Sequence, residues 1–311
     1  MIYPPALSPG DTIAIVSPAT TIKPEYVAGA ARRLEEAGFR VAIAPHAFGP
    51  ASGTYAASDT SRTADFLAAL QDPEVKAILC ARGGYGCVHL LPALPHEAVV
   101  SSPKWLIGFS DVSALHAFWQ HCGVASIHAS MAKHLTEYSL DETCNASLLS
   151  ILTSPAGASF CIEAPAHPLN TFGEAEGLLR GGNLAVLDGL AGTPFDILKV
   201  AEGEDVILFI EDIAEPIYKV ERMLTRLYLS GTLSLLRGLV VGRFTEYSPD
   251  ANFSDMESMI RSRLCQWGLR SLPVGFGFPI GHISDNRPVV EGSRAHLVVT
   301  ETNSTLEFKL I

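Results

Sequence analysis

A chain of 311 residues exceeds one typical domain and fits two of roughly 150 each, and its 48% hydrophobic and 18% charged composition suits a compact core without disulfide or metal staples. A formal net charge of −11, uninterrupted by any basic stripe, disfavours nucleic acid and anionic membrane as partners. No stretch approaches the ~18 apolar residues of a membrane span, and the opening MIYPPALSPGD lacks a leader pattern, so cytoplasm is the expected location.

In chain order, residues 12–17 form an apolar β-branched run, and 24–37 predict a helix stopped by Gly38. Residues 39–44 read as strand, and 59–70 as helix capped by Ser58. Strands follow at 76–81, 105–109 and 125–128, with helical spacing of Val112, Leu115, Phe118 and Trp119 over 111–122. Strands alternating with helices imply βαβ crossovers and a parallel sheet covered on both faces. Periodicity fades between 150 and 174, where Pro155, Gly157, Pro165 and Pro168 suggest a linker. Beyond it come a strand at 174–180, a helix near 183–190, and a strong strand at 206–211. Residues 216–229 are the clearest helix, with Pro at the first turn and Gly231 as stop. Residues 239–244 read as strand, 256–267 as helix and 274–276 as strand, and a hairpin around Thr302-Asn303 closes the chain. The expected domains are 1–160 and 172–311.

Four places carry chemistry. Ser110 ends the apolar strand and opens a helix, where a hydroxyl projects above a sheet beside unpaired helical N–H groups. That geometry suits a nucleophile, although Ser-Asp at a helix start also serves simply as an N-cap. The glycine-rich Arg82-Gly83-Gly84-Tyr85-Gly86 follows a strand and can aim backbone N–H groups at a ligand. It lacks the third glycine of a dinucleotide loop, leaving an oxyanion-binding loop near Ser110 or a plain tight turn. Glu211 stands at the tip of an apolar strand, where a carboxylate needs solvent, a cap or a specific partner. Asp212 or Glu215 could supply a cap instead. His282, in a Gly/Pro loop after a strand, is the best base among ten histidines. His116 and His121 read as packing or surface residues. His96-Glu97 lacks the second histidine of a zinc-protease motif, and the six dispersed cysteines read as buried free thiols, so no metal is expected. The order Ser110, Glu211, His282 also occurs in α/β-hydrolases, but Asp111-Val112 replaces the glycine elbow.

The segments Ala-Arg-Gly-Gly-Tyr-Gly (81–86), Ile-Gly-Phe-Ser-Asp-Val-Ser-Ala-Leu-His (107–116), Leu-Leu-Arg-Gly-Gly-Asn-Leu (178–184), Ile-Glu-Asp-Ile-Ala-Glu-Pro (210–216) and Pro-Ile-Gly-His (279–282) together resemble the LD-carboxypeptidase family of serine peptidases. The resemblance implies an α/β fold with an N-terminal flavodoxin-like domain, a C-terminal swivelling β/α domain and a site in the groove between them. It also implies Ser110 as nucleophile, His282 as base, Glu211 as orienting acid, and the Gly84 and Asp111 N–H groups as oxyanion hole. Arg82 and Tyr85 beside the glycine loop are candidates for substrate binding. The implied substrate is a murein tetrapeptide losing its terminal D-alanine, with no cofactor and a homodimeric enzyme. A sister branch cleaves microcin-type aminoacyl nucleotides, and the absence of Trp from 150–174 favours the murein branch. A non-catalytic module binding a nucleotide or sugar through the glycine loop is the alternative from a different class. Ile127-His-Ala-Ser replaces the family's usual Phe-His-Gly-Pro, and His89 stands where arginine is common.

Overall fold

The computed structural model describes residues 1–49 and 51–311 and divides into two compact units. Unit 1 comprises Met1–Ala158, Ser284–Gly292 and Ile311, and unit 2 comprises Ser159–Ile283 and Ser293–Leu310. The chain thus returns to unit 1 for a short passage just after His282.

The first stretch runs β1 (Thr12–Val16), α1 (Pro24–Glu36), β2 (Arg40–Ile43), α2 (Asp59–Gln71), β3 (Val75–Cys80), α3 (His96–Ser101), β4 (Trp105–Gly108), α4 (Ser113–His121), β5 (Ser126–His128), α5 (Ala132–Glu137) and α6 (Thr143–Thr153). Next come β6 (Ser159–Pro165), β7 (Gly173–Asn183), α7 (Leu184–Asp188), β8 (Val206–Ile213), α8 (Ile217–Leu229), α9 (Thr232–Leu235), β9 (Gly238–Thr245), α10 (Met256–Gln266) and β10 (Val274–Gly281). The chain closes with β11 (Val289–Glu291), β12 (Arg294–Val299) and β13 (Asn303–Lys309).

In unit 1 the parallel strands lie in the order β2-β1-β3-β4-β5, the flavodoxin-like order, and β11 adds antiparallel to β5. The inner strands β1 and β4 are buried at every position and carry continuous apolar runs, as a sheet covered on both faces requires. β2, at the edge, is largely exposed. Ser58 caps α2 by accepting the Ser61 N–H at 3.1 Å.

Unit 2 holds a seven-stranded sheet ordered β10-β9-β8-β7-β12-β13-β6. β7 to β10 are parallel, whereas β12, β13 and β6 add antiparallel. α8 buries Ile217, Val220, Leu224 and Leu227 along one stripe and ends at Gly231, whose φ of 81° suits glycine.

The sequence expectations differ from the structure in four places, the first being that β8 and β10 run on to Ile213 and Gly281, so the Gly/Pro stretch 278–281 before His282 is strand rather than loop. The helix expected at 111–122 begins instead with a 3₁₀ turn at Ser110–Val112, and α4 follows it. The stretch 150–174 is not simply a linker, since it holds the end of α6 and all of β6. β6 is an edge strand with alternating exposure, which weakens its apolar signal. Cys80, Cys87, Cys122 and Cys144 are buried, but Cys161 is exposed on β6 and Cys265 half-buried. Among the described residues no helix is long and apolar enough to cross a membrane.

Gly181 pairs with Phe209 between β7 and β8 at a φ of 154°, and a Cβ there would collide with the Phe209 carbonyl oxygen. Gly181→Ala is therefore expected to destabilise the protein by about 3 kcal/mol, summing backbone strain and overpacking. The midpoint of urea unfolding measures it.

Candidate active site

The site residues occupy the carboxyl ends of parallel strands in both units, where sheets of this kind bind ligands. In unit 1, β4 ends at Gly108 and the chain turns sharply through Phe109 into Ser110, whose φ is +66°. A left-handed backbone costs a non-glycine residue roughly 1 kcal/mol and persists only where its surroundings hold it. The N-cap positions of the following turns are Phe109 and Val112, and neither side chain contributes a cap bond. Ser110 is thus placed by the turn itself, and it is half-buried.

The glycine loop lies against this turn. A Cβ on Gly83 would stand 2.9 Å from the Ser110 Cβ and 3.1 Å from both Ser110 Oγ and the Asp111 nitrogen. Only glycine lets the loop come so close. Asp111 fastens the two together, because its buried carboxylate accepts the Cys87 N–H at 2.8 Å. Burial raises the Asp111 pKa, and the Cys87 bond counters part of that rise. Gly84 has a φ of 106° and packs over Thr20, whose hydroxyl accepts the Tyr85 N–H at 3.1 Å. Arg82 is exposed and donates through Nη1 to the Thr21 carbonyl at 2.9 Å. Tyr85 is 56% exposed, with its ring edge-on to His89 at 5.3 Å and near Tyr55 at 6.2 Å.

Sequence reasoning missed Arg62, which braces the loop from beneath. It is fully buried on α2 and donates to the carbonyls of Gly86 at 3.0 Å, Ala57 at 3.2 Å and Pro18. Its second terminal nitrogen meets Asp59, and its guanidinium lies 5.0 Å from the Tyr55 ring centre. One signal was available: an arginine on the same helical face as Asp65, Phe66 and Ala69 must find partners inside. His89 lies 3.3 Å from Asp59 and 3.4 Å from Arg62 through Nδ1.

In unit 2, Glu211 lies fully buried two residues before the end of β8, and its Oε2 lies 2.7 Å from Nδ1 of His282, which directly follows β10. Two glycines make room for that carboxylate. A Cβ on Gly281 would stand 2.8 Å from Glu211 Oε2, and one on Gly242 would stand 3.3 Å from the Glu211 Cβ. Neighbouring Asp212 points elsewhere. It accepts the Asn183 side chain at 2.9 Å and the Ala185 N–H at 2.8 Å, so it caps α7 rather than α8. Burial, then the charge of Glu211, pushes the Asp212 pKa up to about 6. Glu215 pairs with Lys219 at 3.3 Å. No side chain caps α8, whose N-cap is Pro216, so neither Asp212 nor Glu215 takes the capping role expected of them, and Glu211 meets a histidine.

Burial disfavours a charged His282, but the Glu211 hydrogen bond and the charges of Glu211, Asp212 and Glu246 outweigh it. The pKa rises above the ordinary 6.5. By linkage, this bond stabilises the fold fully below the unfolded histidine value and fades as pH climbs through the raised folded one. A base must be neutral, so reactivity runs the opposite way and is lost as pH falls through the raised value.

Of the other histidines, His121 is exposed, whereas His116 is fully buried with polar partners on both ring nitrogens. No group of three or more His, Cys, Asp or Glu among the described residues could hold a metal. A cavity of about 550 Å³ opens at the opposite, amino ends of β7 to β10, lined by Glu174, Glu176, Asp205 and Arg237 and by none of the site residues.

The chain matches the LD-carboxypeptidase N-terminal domain over residues 13–129 and the LD-carboxypeptidase C-terminal domain over 176–297. It is 32% identical to a probable murein peptide carboxypeptidase of Bacillus subtilis, over 98% of this chain and 94% of that one. It is 31% identical to the murein tetrapeptide carboxypeptidase of Pseudomonas aeruginosa, over 91% of this chain and 94% of that one. The crystal structure of a muramoyltetrapeptide carboxypeptidase from Oxalobacter formigenes superposes with a TM-score of 0.84 at 30% identity, covering 96% of this chain and 98% of that one. A microcin self-immunity protein, MccF, in complex with aspartyl sulfamoyl adenosine shares the fold with a TM-score of 0.83 at 22% identity, each chain covered over 97%.

Two outcomes test the acid–histidine half. The His282 titration midpoint, followed by NMR, should lie above 6.5 and fall toward it in Glu211→Gln. Gly281→Ala should displace the Glu211 carboxylate and lower kcat/KM by about 10²-fold while the far-ultraviolet circular dichroism stays unchanged.

Proposed function

Because the chain belongs to the LD-carboxypeptidase family and is a serine carboxypeptidase, we propose that it removes the terminal D-alanine from murein tetrapeptides in the cytoplasm, as a homodimer. Ser110 is the nucleophile, His282 the general base, and Glu211 the acid that orients it. One observation carries this reading: the 2.7 Å bond between Glu211 and His282 Nδ1. It assigns the Nδ1 proton to the carboxylate side, so a proton taken from the serine lands on Nε2.

Attack of Ser110 Oγ on the carbonyl forms the acyl bond while its proton passes to His282. The Asp111 and Gly84 N–H groups receive the oxyanion, consistent with the closeness of Gly83 to the Asp111 nitrogen. His282 then gives its proton to the amine of the departing D-alanine, and water repeats the sequence on the acyl-enzyme. The terminal carboxylate needs a cation, and Arg82 is the exposed one beside the loop. Its Nη1 donates to the Thr21 carbonyl, and its other guanidinium N–H groups can reach an anion. Tyr85 offers the peptide an exposed ring face.

Incubation with a D-alanine-terminated murein tetrapeptide should release D-alanine, and Ser110→Ala should lower kcat by about 10⁴- to 10⁶-fold in a folded protein. Near-normal turnover by that variant would remove Ser110 from the role. Hydrolysis of an aminoacyl nucleotide with the tetrapeptide untouched would move the chain to the microcin branch.

A further inference from the structure

The backbone turn at Ser110 is held from behind by a buried polar cluster that none of the proposed chemistry uses. His116 lies on α4, the helix that grows out of the turn, and its side chain has no solvent exposure. Its Nε2 lies 2.9 Å from the Gly108 carbonyl, two residues before Ser110, and its Nδ1 lies 2.8 Å from Ser126 Oγ on β5. A carbonyl only accepts, so Nε2 carries the proton, and Nδ1 accepts from the Ser126 hydroxyl. The Gly108 carbonyl also receives the Ala129 N–H at 3.0 Å. Glu291, from the returning strand β11, sits opposite Ser126 in the β5–β11 register and is equally buried. Its Oε2 accepts the Gln120 amide, one turn along α4, and its Oε1 stands 3.9 Å from His116 Nδ1. One cluster thus joins α4, the end of β4, β5 and β11.

We propose that His116 is a positioning residue for the nucleophile, an inference that rests on the reading of Ser110 above. Its Nε2–H locks the Gly108 carbonyl, and that lock maintains the strained +66° backbone of Ser110. The imidazole acts as a fixed neutral donor. Burial, against the Gly108 bond and with the nearby His128 adding to the fall, pushes its pKa down to about 3. Burial likewise raises the Glu291 carboxyl well above the usual carboxylate range, which favours the neutral form beside the imidazole. A donor whose pKa is pushed far below that of His282 holds the turn alike across the range in which His282 operates. Without it, the carbonyl keeps one donor instead of two, the turn relaxes toward ordinary backbone, and the hydroxyl leaves its line of attack.

The test compares His116→Gln, whose amide nitrogen reaches about as far as Nε2, with His116→Asn, which falls short of Gly108, and with apolar His116→Leu. Release of D-alanine from the tetrapeptide gives kcat and KM, and hydrogen exchange gives the mobility of the peptide spanning 108–113. In Asn and Leu we expect kcat to fall about 10²-fold with KM within about twofold, and the acid-limb midpoint, set by His282, to stay in place. Exchange across 108–113 should quicken about tenfold or more in those two variants, whereas Gln stays within about fivefold of the parent kcat with slow exchange. Parent-like kcat and exchange in folded Asn, or a loss in Gln as large as in Asn, would overturn the proposal. Should Leu fail to fold, the Gln–Asn contrast still decides. A parent protein that releases no D-alanine would defeat the substrate reading alone, and exchange would still report on the lock.

Discussion

The left-handed backbone of Ser110 is the constraint on which the rest of unit 1 turns. At a φ of +66° this residue resists its own conformational preference, and every neighbour contributes to holding it. The Gly108 carbonyl before it is held by two donors, and the Phe109 carbonyl takes the Val112 N–H. Asp111 after it is tied to the Cys87 amide, and Gly83 presses against its side chain. The glycine loop is braced in turn by Arg62, which gathers carbonyls from Pro18, Ala57 and Gly86. A nucleophile needs its hydroxyl fixed to within a fraction of an ångström, and backbone locked by buried hydrogen bonds supplies that more firmly than a free rotamer.

Unit 2 answers a different physical problem, that of keeping a buried carboxylate in contact with a histidine. Glu211 is out of water altogether, and a charge there is tolerable only with a close partner. Gly242 and Gly281 leave the volume it occupies, and His282 supplies the partner. Asp212, adjacent in the chain, is drawn away to α7 by Asn183 and Ala185, so the two acids do not compete for the imidazole. Rigidity is thus concentrated at the serine and proton affinity at the histidine.

Much of this could be read from the chain alone, for identifiable reasons. An apolar run breaking into helical spacing at Ser110, an acid following the apolar run 206–210, and a histidine after a Gly/Pro stretch are local patterns. The parallel sheet of unit 1 likewise follows from alternating strands and helices, whereas its flavodoxin-like strand order came from the family resemblance alone. What stayed hidden depends on partners distant in sequence. β11 is three residues inside a loop, a strand only because β5 lies beside it. Arg62 on α2 went unread because the three carbonyls that receive it, of Pro18, Ala57 and Gly86, lie apart in the chain. His116 read as packing or surface because Gly108 and Ser126, its partners, come from two different strands. The left-handed turn at Ser110 has no signature at all, since serine rarely adopts it.

The central claim is that His282 activates Ser110, and labelling tests it most directly. The rate of Ser110 modification by a fluorophosphonate can be followed by intact mass across pH, in the parent protein and in His282→Gln. The account predicts a rate that rises with pH through one ionisation above 6.5, and falls about 10²- to 10⁴-fold in the variant. Equal labelling of Ser110 in both proteins, with no ionisation in that range, would contradict it.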